Sequence, residues 1–121
     1  MEPINLKDKL AQFDELWAPR IVADLNGQHV KLAKMEGAFD WHQHPEADEF
    51  FLVLSGTLTI QRRDADDVRL EEGACCVVPS GTEHRPVAAD GEAHVLLFEP
   101  AATRNTGARE TDRTVPDPER I

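Results

Sequence analysis

The sequence predicts an all-β protein folded as an antiparallel sandwich or barrel, and three observations lead to this prediction. Short segments rich in apolar and β-branched residues recur along residues 17–99. Gly, Pro, Asn and Asp separate them at regular intervals, as turn residues do in sheet proteins. The length of 121 residues allows one domain with a single core. We therefore expect a single domain over residues 1–121, with a barrel core over about 17–99.

A short amphipathic helix is expected before the barrel, over about residues 5–14. Asn5 is a suitable N-cap because its side chain can accept a hydrogen bond from a free backbone N–H of the first turn. Leu6, Leu10 and Phe13 follow at i, i+4 and i+7, which places them on one face of a helix.

Strands and turns account for the rest of the barrel. Asn26-Gly27 is a two-residue hairpin signal between a strand within 17–25 and a strand over 28–35. The further strands are expected near residues 37–42, 49–54, 57–63, 67–71, 74–78, 84–88 and 93–99. The turns between them are Ser55-Gly56, Asp64 to Asp67, Glu72-Gly73, Pro79 to Gly81 and Asp90-Gly91.

Residues 100–121, named here the C-terminal tail, differ from the barrel in composition. They contain Thr, Arg, Asp, Glu, Pro and Gly with few apolar residues. A segment of this composition cannot form a core of its own. The tail is therefore either loosely ordered or held by extended contacts with the barrel or a partner.

Charge and cysteine usage narrow the class of protein. The net charge of -10 argues against nucleic acid and anionic membranes as partners, because both require a basic surface. No apolar run is long enough to span a bilayer, and the first residues lack the apolar segment of a signal peptide. The adjacent Cys75 and Cys76 cannot form an unstrained disulfide. We expect a soluble cytoplasmic protein with reduced thiols.

Four residues predict a metal site: His42, His44, Glu49 and His84. In an extended strand His42 and His44 point to the same side, and a carboxylate follows them closely. The third imidazole comes from a separate strand. Three neutral nitrogens and one oxygen suit one divalent ion of Fe, Mn, Ni, Co or Zn, with coordination positions left for water or a substrate.

The expected strand over 49–54 is apolar on both faces. If Glu49 points inward toward a metal, then Phe50, Leu52 and Leu54 point outward. Such a strand is covered on both sides in folded proteins. The outer cover is either the amino-terminal segment or a second subunit, and we expect a homodimer.

The order of these residues resembles the first motif of the cupin superfamily. That motif is Gly, about five residues, His-x-His, three or four residues, Glu, six residues and Gly. This chain has Gly37, four residues, His42-x-His44, four residues, Glu49, six residues and Gly56. It differs by one residue fewer before His42, which leaves the ligand positions unchanged.

The second cupin motif is also similar. It reads Gly, five residues, Pro-x-Gly, two residues, His, three residues and Asn. This chain has Gly73, five residues, Pro79-x-Gly81, two residues, His84 and then Ala88 in place of Asn. The resemblance spans about residues 28–99. It implies a double-stranded β-helix, the cupin jelly-roll barrel, which is usually dimeric and holds its metal inside near the mouth.

The resemblance implies no single reaction, because cupins include enzymes, binding modules and storage proteins. We favour a metal-dependent enzyme, dioxygenase- or isomerase-like, that acts on a small organic metabolite. The alternative is a non-catalytic module that binds a small ligand or senses a metal. A metal-free scaffold is disfavoured because the ligand set is intact.

Other polar residues near the motifs are interpreted as structural. His29 and His94 lie outside both motifs. Glu46, Asp48 and Glu83 read as solvated loop charges, although one of them could orient a ligand imidazole.

Overall fold

The computed structural model describes all residues, 1–121, as eight strands and one short helix. This architecture confirms the predicted all-β jelly-roll class. The elements in chain order are α1 (Leu6–Leu10), β1 (Arg20–Leu25), β2 (Gln28–Ala38), β3 (Glu49–Ser55), β4 (Leu58–Arg62), β5 (Val68–Leu70), β6 (Cys75–Val78), β7 (His84–Pro100) and β8 (Glu119–Arg120).

The long strand β7 connects the parts of the sheet. Its first half pairs antiparallel with β4, where Val87 lies opposite Thr59. Its second half runs between β2 and β3, and Leu96 lies opposite both Leu32 and Leu52. Strand β6 pairs with the free side of β3. The two strands that begin with motif residues, β3 and β7, are therefore neighbours in the same sheet.

The hydrophobic core lies on the inner face of these strands. Alternate residues of β3 and β7 are buried, and Val53 and Val95 are fully shielded from solvent. Burial of one such side chain stabilises the fold by roughly 1.5–3 kcal/mol. The core cluster consists of Ala33, Met35, Phe51, Val53, Leu58, Ile60, Leu70, Val78, Ala88, Ala93, Val95 and Leu97.

The helix is shorter than the expected range of 5–14. The Asn5 side chain does cap it, by accepting a hydrogen bond of 2.9 Å from the backbone of the first turn. However, α1 ends at Leu10. Phe13 leaves the helical path and is buried, with its carbonyl accepting a hydrogen bond from the Lys34 ammonium, which also lies over the Phe13 ring. Packing against β2 thus outweighs continuation of the helix.

The expected strand over 37–42 is only partly present. Strand β2 continues without interruption to Ala38, because Gly37 takes a φ of +74° at the register shift with β7. The chain then leaves the sheet and returns to it at one point, an isolated antiparallel bridge between His42 and His84.

The two strands expected over 84–88 and 93–99 form one strand, β7. The intervening residues 89–92 are exposed and bulge away from the sheet. Gly91, with a φ of +106°, allows this excursion without a chain reversal.

The C-terminal tail is held against the barrel, which decides between the two alternatives predicted for it. Strand β8 pairs parallel to β1, with Glu119 opposite Arg20. In the middle of the tail, Thr106 is completely buried and its hydroxyl donates a hydrogen bond of 2.6 Å to the Arg109 carbonyl. Local hydrogen bonds and strand pairing therefore replace the missing apolar residues.

The outer face of β3 is only partly covered. Phe50, Leu52 and Leu54 are half-buried, and α1 forms one wall of a groove whose other wall includes Leu54. On the neighbouring strand β6, Val77 remains 57% exposed. The helix α1 has five residues, and no helix of the chain is long and apolar enough to cross a membrane.

Candidate metal centre

The structure brings together the four residues predicted to bind a metal. His42 and His44 lie on the loop between β2 and β3, Glu49 opens β3, and His84 opens β7. Their candidate ligand atoms all lie within 4.8 Å of one another. All four are buried, with exposures of 5% or less. A single ion could contact all four side chains in this arrangement.

Backbone carbonyls orient two of the imidazoles. The Nδ1 atom of His42 is 2.8 Å from the Asp40 carbonyl, and Nδ1 of His84 is 2.8 Å from the Thr82 carbonyl. A carbonyl only accepts hydrogen bonds, so each Nδ1 carries the proton. In the neutral form of each ring the lone pair then lies on Nε2, which is the nitrogen available to a metal.

Three atoms of the cluster are buried without a hydrogen-bonding partner: Nε2 of His44, Nε2 of His84 and Oε1 of Glu49. Glu49 Oε1 lies 3.3 Å from the first nitrogen and 3.4 Å from the second. Buried polar atoms are almost always satisfied, so three orphans at one point require a missing partner. A divalent cation would be a suitable partner for all three, because imidazole nitrogen and carboxylate oxygen are its usual ligands. The residues present therefore fit a metal ion.

The protonation states also suit a cation. Burial, and then the charge on His84, lower the pKa of His42 from its ordinary 6.5 to about 4. Burial acts to raise the pKa of Glu49, but the nearby imidazoles of His44 and His84 outweigh it and the pKa lies well below its ordinary value. At neutral pH the ring of His42 is neutral and Glu49 is ionised, which are the forms that bind metal.

A small cavity opens beside the cluster. Its volume is about 30 Å³, and both His42 and Glu49 line it. A water molecule needs roughly 10–15 Å³ measured in this way, so the cavity has room for about two. Its walls are mostly apolar, and Trp17 stacks on Phe39, whose ring in turn meets His42 edge-on.

The C-terminal tail passes over the loop that carries His42 and His44. The Ala108 N–H donates a hydrogen bond of 3.0 Å to the Gln43 carbonyl, between the two histidines. The Arg109 guanidinium donates one of 2.7 Å to the Trp41 carbonyl. A groove of about 320 Å³ between tail and loop reaches His44. The tail thus forms part of the wall around the candidate site.

Sequence reasoning missed two further buried charges in the same cavity region. Lys31 and Glu99 are each 1% exposed, and their Nζ and Oε1 atoms lie 2.9 Å apart. Glu99 lines the cavity together with Glu49. Burial and the neighbouring Glu49 raise the pKa of Glu99 well above its ordinary value. Strand alternation was the available signal, because Val95 and Leu97 share an inward face with Glu99.

The other histidines remain outside the cluster, as expected. His29 lies 3.2 Å from Asp24, and His94 lies 2.8 Å from Glu92. None of these residues lines the cavity. They have local partners at the barrel surface.

The acidic loop residues contact other groups rather than the ligand imidazoles. Asp48 accepts a hydrogen bond of 2.9 Å from the Ser80 backbone, and Glu83 pairs with Arg63 at 3.1 Å. Glu46 is exposed. The imidazole-orienting role suggested for one of them is filled by backbone carbonyls instead.

The side chains next to the ligands pack among themselves. Trp41 lies between two guanidinium groups, with Arg63 4.1 Å and Arg85 5.0 Å from its ring centroid. The Arg85 guanidinium also donates a hydrogen bond of 2.7 Å to the Gln61 side chain. These contacts are structural.

The two cysteines point to opposite sides of β6. Cys75 is exposed, whereas Cys76 is half-buried and packs against the core. Burial, together with the charge of Cys75, raises the pKa of Cys76. Cys76 therefore behaves as a small apolar residue.

The family follows from a comparison with known protein families, in which a family model described as "Cupin domain" matches residues 28–99. The chain belongs to the cupin family. Both motifs and all four clustered residues lie within the matched range. A relative, the uncharacterized protein YdbB of Bacillus subtilis (strain 168), is 36% identical over 81 residues, covering 67% of this chain and 66% of its own.

Two solved structures are also similar to this cupin. A cupin-2 domain containing protein from Shewanella frigidimarina NCIMB 400 has a TM-score of 0.77 and 42% identity, over 80% of this chain and 93% of its own. Protein NMB1881 from Neisseria meningitidis has a TM-score of 0.75 and 31% identity, over 83% of this chain and all of its own. None of these names states a reaction, so the reaction must be argued from the site.

Proposed function

We propose that this cupin is a metal-dependent enzyme that acts on a small organic metabolite. Its resident cofactor would be one divalent ion per chain, Fe, Mn, Ni, Co or Zn, bound by His42, His44, Glu49 and His84. The observation that carries the proposal is the convergence of three buried, unpartnered ligand atoms beside a cavity. A purely structural cluster would have no reason to leave them unpaired.

The bound cation would supply Lewis-acid chemistry, to which iron would add redox chemistry with O2. The residues around it prepare the site. The stacked rings of Trp17 and Phe39 exclude water from one side, which strengthens electrostatic interactions inside. Dioxygenase- or isomerase-like reactions fit such a site. In both, the substrate would bind the cation through its oxygen atoms, beside a wall that excludes water.

The second candidate function is a non-catalytic module that binds a small ligand or senses a metal. The modest cavity volume of about 30 Å³ favours the metal-sensing form of this candidate, because any organic molecule larger than a few atoms requires the surrounding wall to move. The identity of the native metal separates the two candidates. Redox-active iron supports dioxygenase chemistry, whereas zinc and an empty cavity support binding.

Two wider properties belong to the same proposal. The half-covered outer face with Phe50, Leu52 and Leu54 supports a homodimer in which this face meets a second copy.

The free Cys75 and Cys76, together with the acidic composition, support a cytoplasmic protein whose partners are small molecules rather than nucleic acid or membranes.

The test begins with metal analysis of the purified native protein and of the His44→Ala variant. We expect about one ion per chain in the native protein and a large loss in the variant. The metal-loaded native protein is then screened against small hydroxy and carbonyl acids by NMR and with an oxygen electrode. Metal content equal in both proteins would contradict the site, and metal without turnover would favour the binding module.

A further inference from the structure

The groove between the C-terminal tail and the loop of His42 and His44 is an open space beside the candidate metal centre. Its volume is about 320 Å³, whereas the cavity beside His42 and Glu49 has about 30 Å³. Sites for small molecules typically have volumes of roughly 300–1,000 Å³. The groove is therefore large enough for a small organic molecule, and the cavity is not.

Arg104 is the positively charged residue in the wall of this groove. It lies on the tail and is half-buried, and Glu46 on the opposite loop is exposed. The Arg104 guanidinium donates a hydrogen bond of 3.0 Å from Nε to the Gly107 carbonyl. Its two terminal nitrogens have no hydrogen-bonding partner in the protein and are open to solvent. They are free to donate to a bound molecule.

Most of the other arginines with carboxylates nearby use them. Ion pairs of 2.7–3.1 Å are formed by Arg20, Arg63, Arg69 and Arg120. The remaining arginines donate to backbone carbonyls or to the Gln61 side chain, and one of them, Arg104, lines the groove that reaches His44. Its charge is permanent, because a guanidinium keeps its proton in proteins. Arg104 therefore offers a charge to a negative group that the protein does not supply.

The turn that carries Arg104 is docked on the loop with the proposed ligands. The Gly107 N–H donates to the Arg104 carbonyl at 2.9 Å, and the next residue, Ala108, donates to the Gln43 carbonyl at 3.0 Å. A Cβ on Gly107 would overlap that same Gln43 carbonyl, so the two segments are in direct contact. Gln43 lies between two of the proposed ligands. These contacts hold the Arg104 backbone at a fixed place beside the candidate metal centre.

We propose that Arg104 is a substrate-binding residue whose terminal nitrogens donate two hydrogen bonds to a carboxylate of the metabolite. The inference rests on the proposed function and names its substrate class, a small carboxylic acid with a short apolar part. The planar guanidinium matches the two oxygens of a carboxylate. The apolar part would lie against Pro45, Ala47, Pro100 and Ala102, which line the same groove. Because the net charge of -10 disfavours the approach of an anion, a carboxylate needs a local cation of this kind.

The test compares the binding of butyrate with that of butyramide, which has nearly the same shape but no charge. Both probes are titrated by NMR, once with Zn²⁺ present and once with a chelator, so that a carboxylate bound to the ion is recognised. We expect the native protein to prefer butyrate by about tenfold or more, because hydrogen bonds between charged groups are stronger than neutral ones. In both conditions Arg104→Gln should lose the part of this preference that does not depend on Zn²⁺.

A second substitution separates the charge of Arg104 from its contact with Gly107. Arg104→Lys and Arg104→Gln both remove the hydrogen bond from Nε to the Gly107 carbonyl, but only lysine keeps the charge. Arg104→Lys should therefore keep part of the preference for butyrate. The control for net charge is Arg69→Gln, at an exposed position outside the groove, which should match the native protein.

Glu46→Gln tests the groove without touching Arg104. It removes the negative charge from the opposite wall and leaves the contacts of the tail intact. The variant should bind butyrate more tightly than the native protein and butyramide equally. It decides the location of the anion even if Arg104→Gln releases the tail, because an unchanged affinity for butyrate would place the anion elsewhere.

The outcomes separate the two proposals. If the metal-free native protein binds butyrate and butyramide equally, or Arg104→Gln keeps the preference, the inference about Arg104 is wrong and the metal centre is unaffected. If Arg104→Lys loses the preference as completely as Arg104→Gln, the contact with Gly107 is responsible and the inference is also wrong. If metal analysis finds no ion in the native protein, the proposed function fails, and with it the substrate role of Arg104.

Discussion

His42 and His84 donate backbone hydrogen bonds to each other, with N···O distances of 3.0 Å and 2.9 Å. The two residues come from different cupin motifs and are far apart along the chain. This bridge fixes their backbones, and the carbonyls of Asp40 and Thr82 fix their rings. The site is therefore preorganised by hydrogen bonds of the protein itself.

Replacing His44 by Ala should remove metal-linked stability while the barrel stays folded. His44 is outside the hydrophobic core cluster, so its loss removes a ligand but little packing. An ion present at 100 times its dissociation constant stabilises the folded state by about 2.7 kcal/mol. Melting temperatures measured with and without added Zn²⁺ should therefore differ for the native protein and coincide for the variant.

The matched control is His94→Ala, because His94 lies outside the cluster and is bonded to Glu92. It should keep the full response to Zn²⁺. An equal response in His44→Ala and the native protein would show that the ion binds elsewhere.

Lowering the pH should destabilise the metal-free protein, because unfolding allows His42 to bind a proton. Its pKa is lowered in the folded state from 6.5 to about 4, so the unfolded chain binds more protons between these values. The stability contributed by the neutral ring is present above pH 6.5 and is lost as pH falls toward 4. Over this window the loss is about 3 kcal/mol.

The measurement compares the native protein with His42→Gln in urea at several pH values, with a chelator present. Other titrating groups, including Glu49 and Glu99, remain in both proteins, so the difference isolates His42. We expect the stability advantage of the native protein over the variant to shrink as pH falls from 7 to 4. A constant difference would show that His42 titrates normally.

Removing the Lys31 charge alone should be costly. Lys31→Met leaves the Glu99 carboxylate buried without its cation, and such a change typically costs about 3–5 kcal/mol. The double variant Lys31→Met/Glu99→Gln removes both charges of this pair and should be more stable than the single one. Urea unfolding of both proteins at pH 7 checks this order, and a double variant no more stable than Lys31→Met would refute the argument.

Replacing Gly107 by Ala should loosen the C-terminal tail. A Cβ there would overlap the backbone carbonyl of Gln43, and Gly107 also has a φ of +62°. The tail must move, at a cost of more than about 1 kcal/mol. Limited proteolysis should cut the tail faster in the variant, and bound metal should leave faster in the presence of a chelator.

The control variant is Gly73→Ala. It separates the effect of steric overlap with Gln43 from the effect of backbone strain at a positive φ. Gly73 has a φ of +85°, but a Cβ there would meet no atom within 4 Å. This variant should be destabilised without faster cleavage of the tail. Equal cleavage of both variants would mean that the close approach to Gln43 does not hold the tail.

A charge on β6 should weaken the proposed homodimer. Val77 lies opposite Phe50 and is 57% exposed, so Val77→Lys is tolerated by the monomer but places a charge on the outer face. Sedimentation at micromolar concentration should show a dimer for the native protein and a monomer for this variant. Leu25→Lys, at a comparably exposed position on β1, is the control. A monomeric native protein would contradict the dimer.

The sequence predicted the barrel and the residues of the cluster because both follow from local rules. The alternation of side chains along a strand predicted that Glu49 points inward. The spacing of the second cupin motif identified His84, on a distant strand, as the fourth member of the cluster. The sequence could not predict that residues 84–88 and 93–99 belong to one strand, because the pairing of β7 with β2 continues past the turn signal Asp90-Gly91. Nor could it predict the pairing of Lys31 with Glu99, since that contact depends on the register of two strands.

The C-terminal tail has a consequence for how the protein matures. Protein chains leave the ribosome amino-terminal end first. All four candidate ligands therefore emerge before residues 100–121, which later cover the loop around Gln43. The tail therefore becomes available for folding only after β1 to β7, and its contacts with the Gln43 loop depend on a barrel that these strands have already formed.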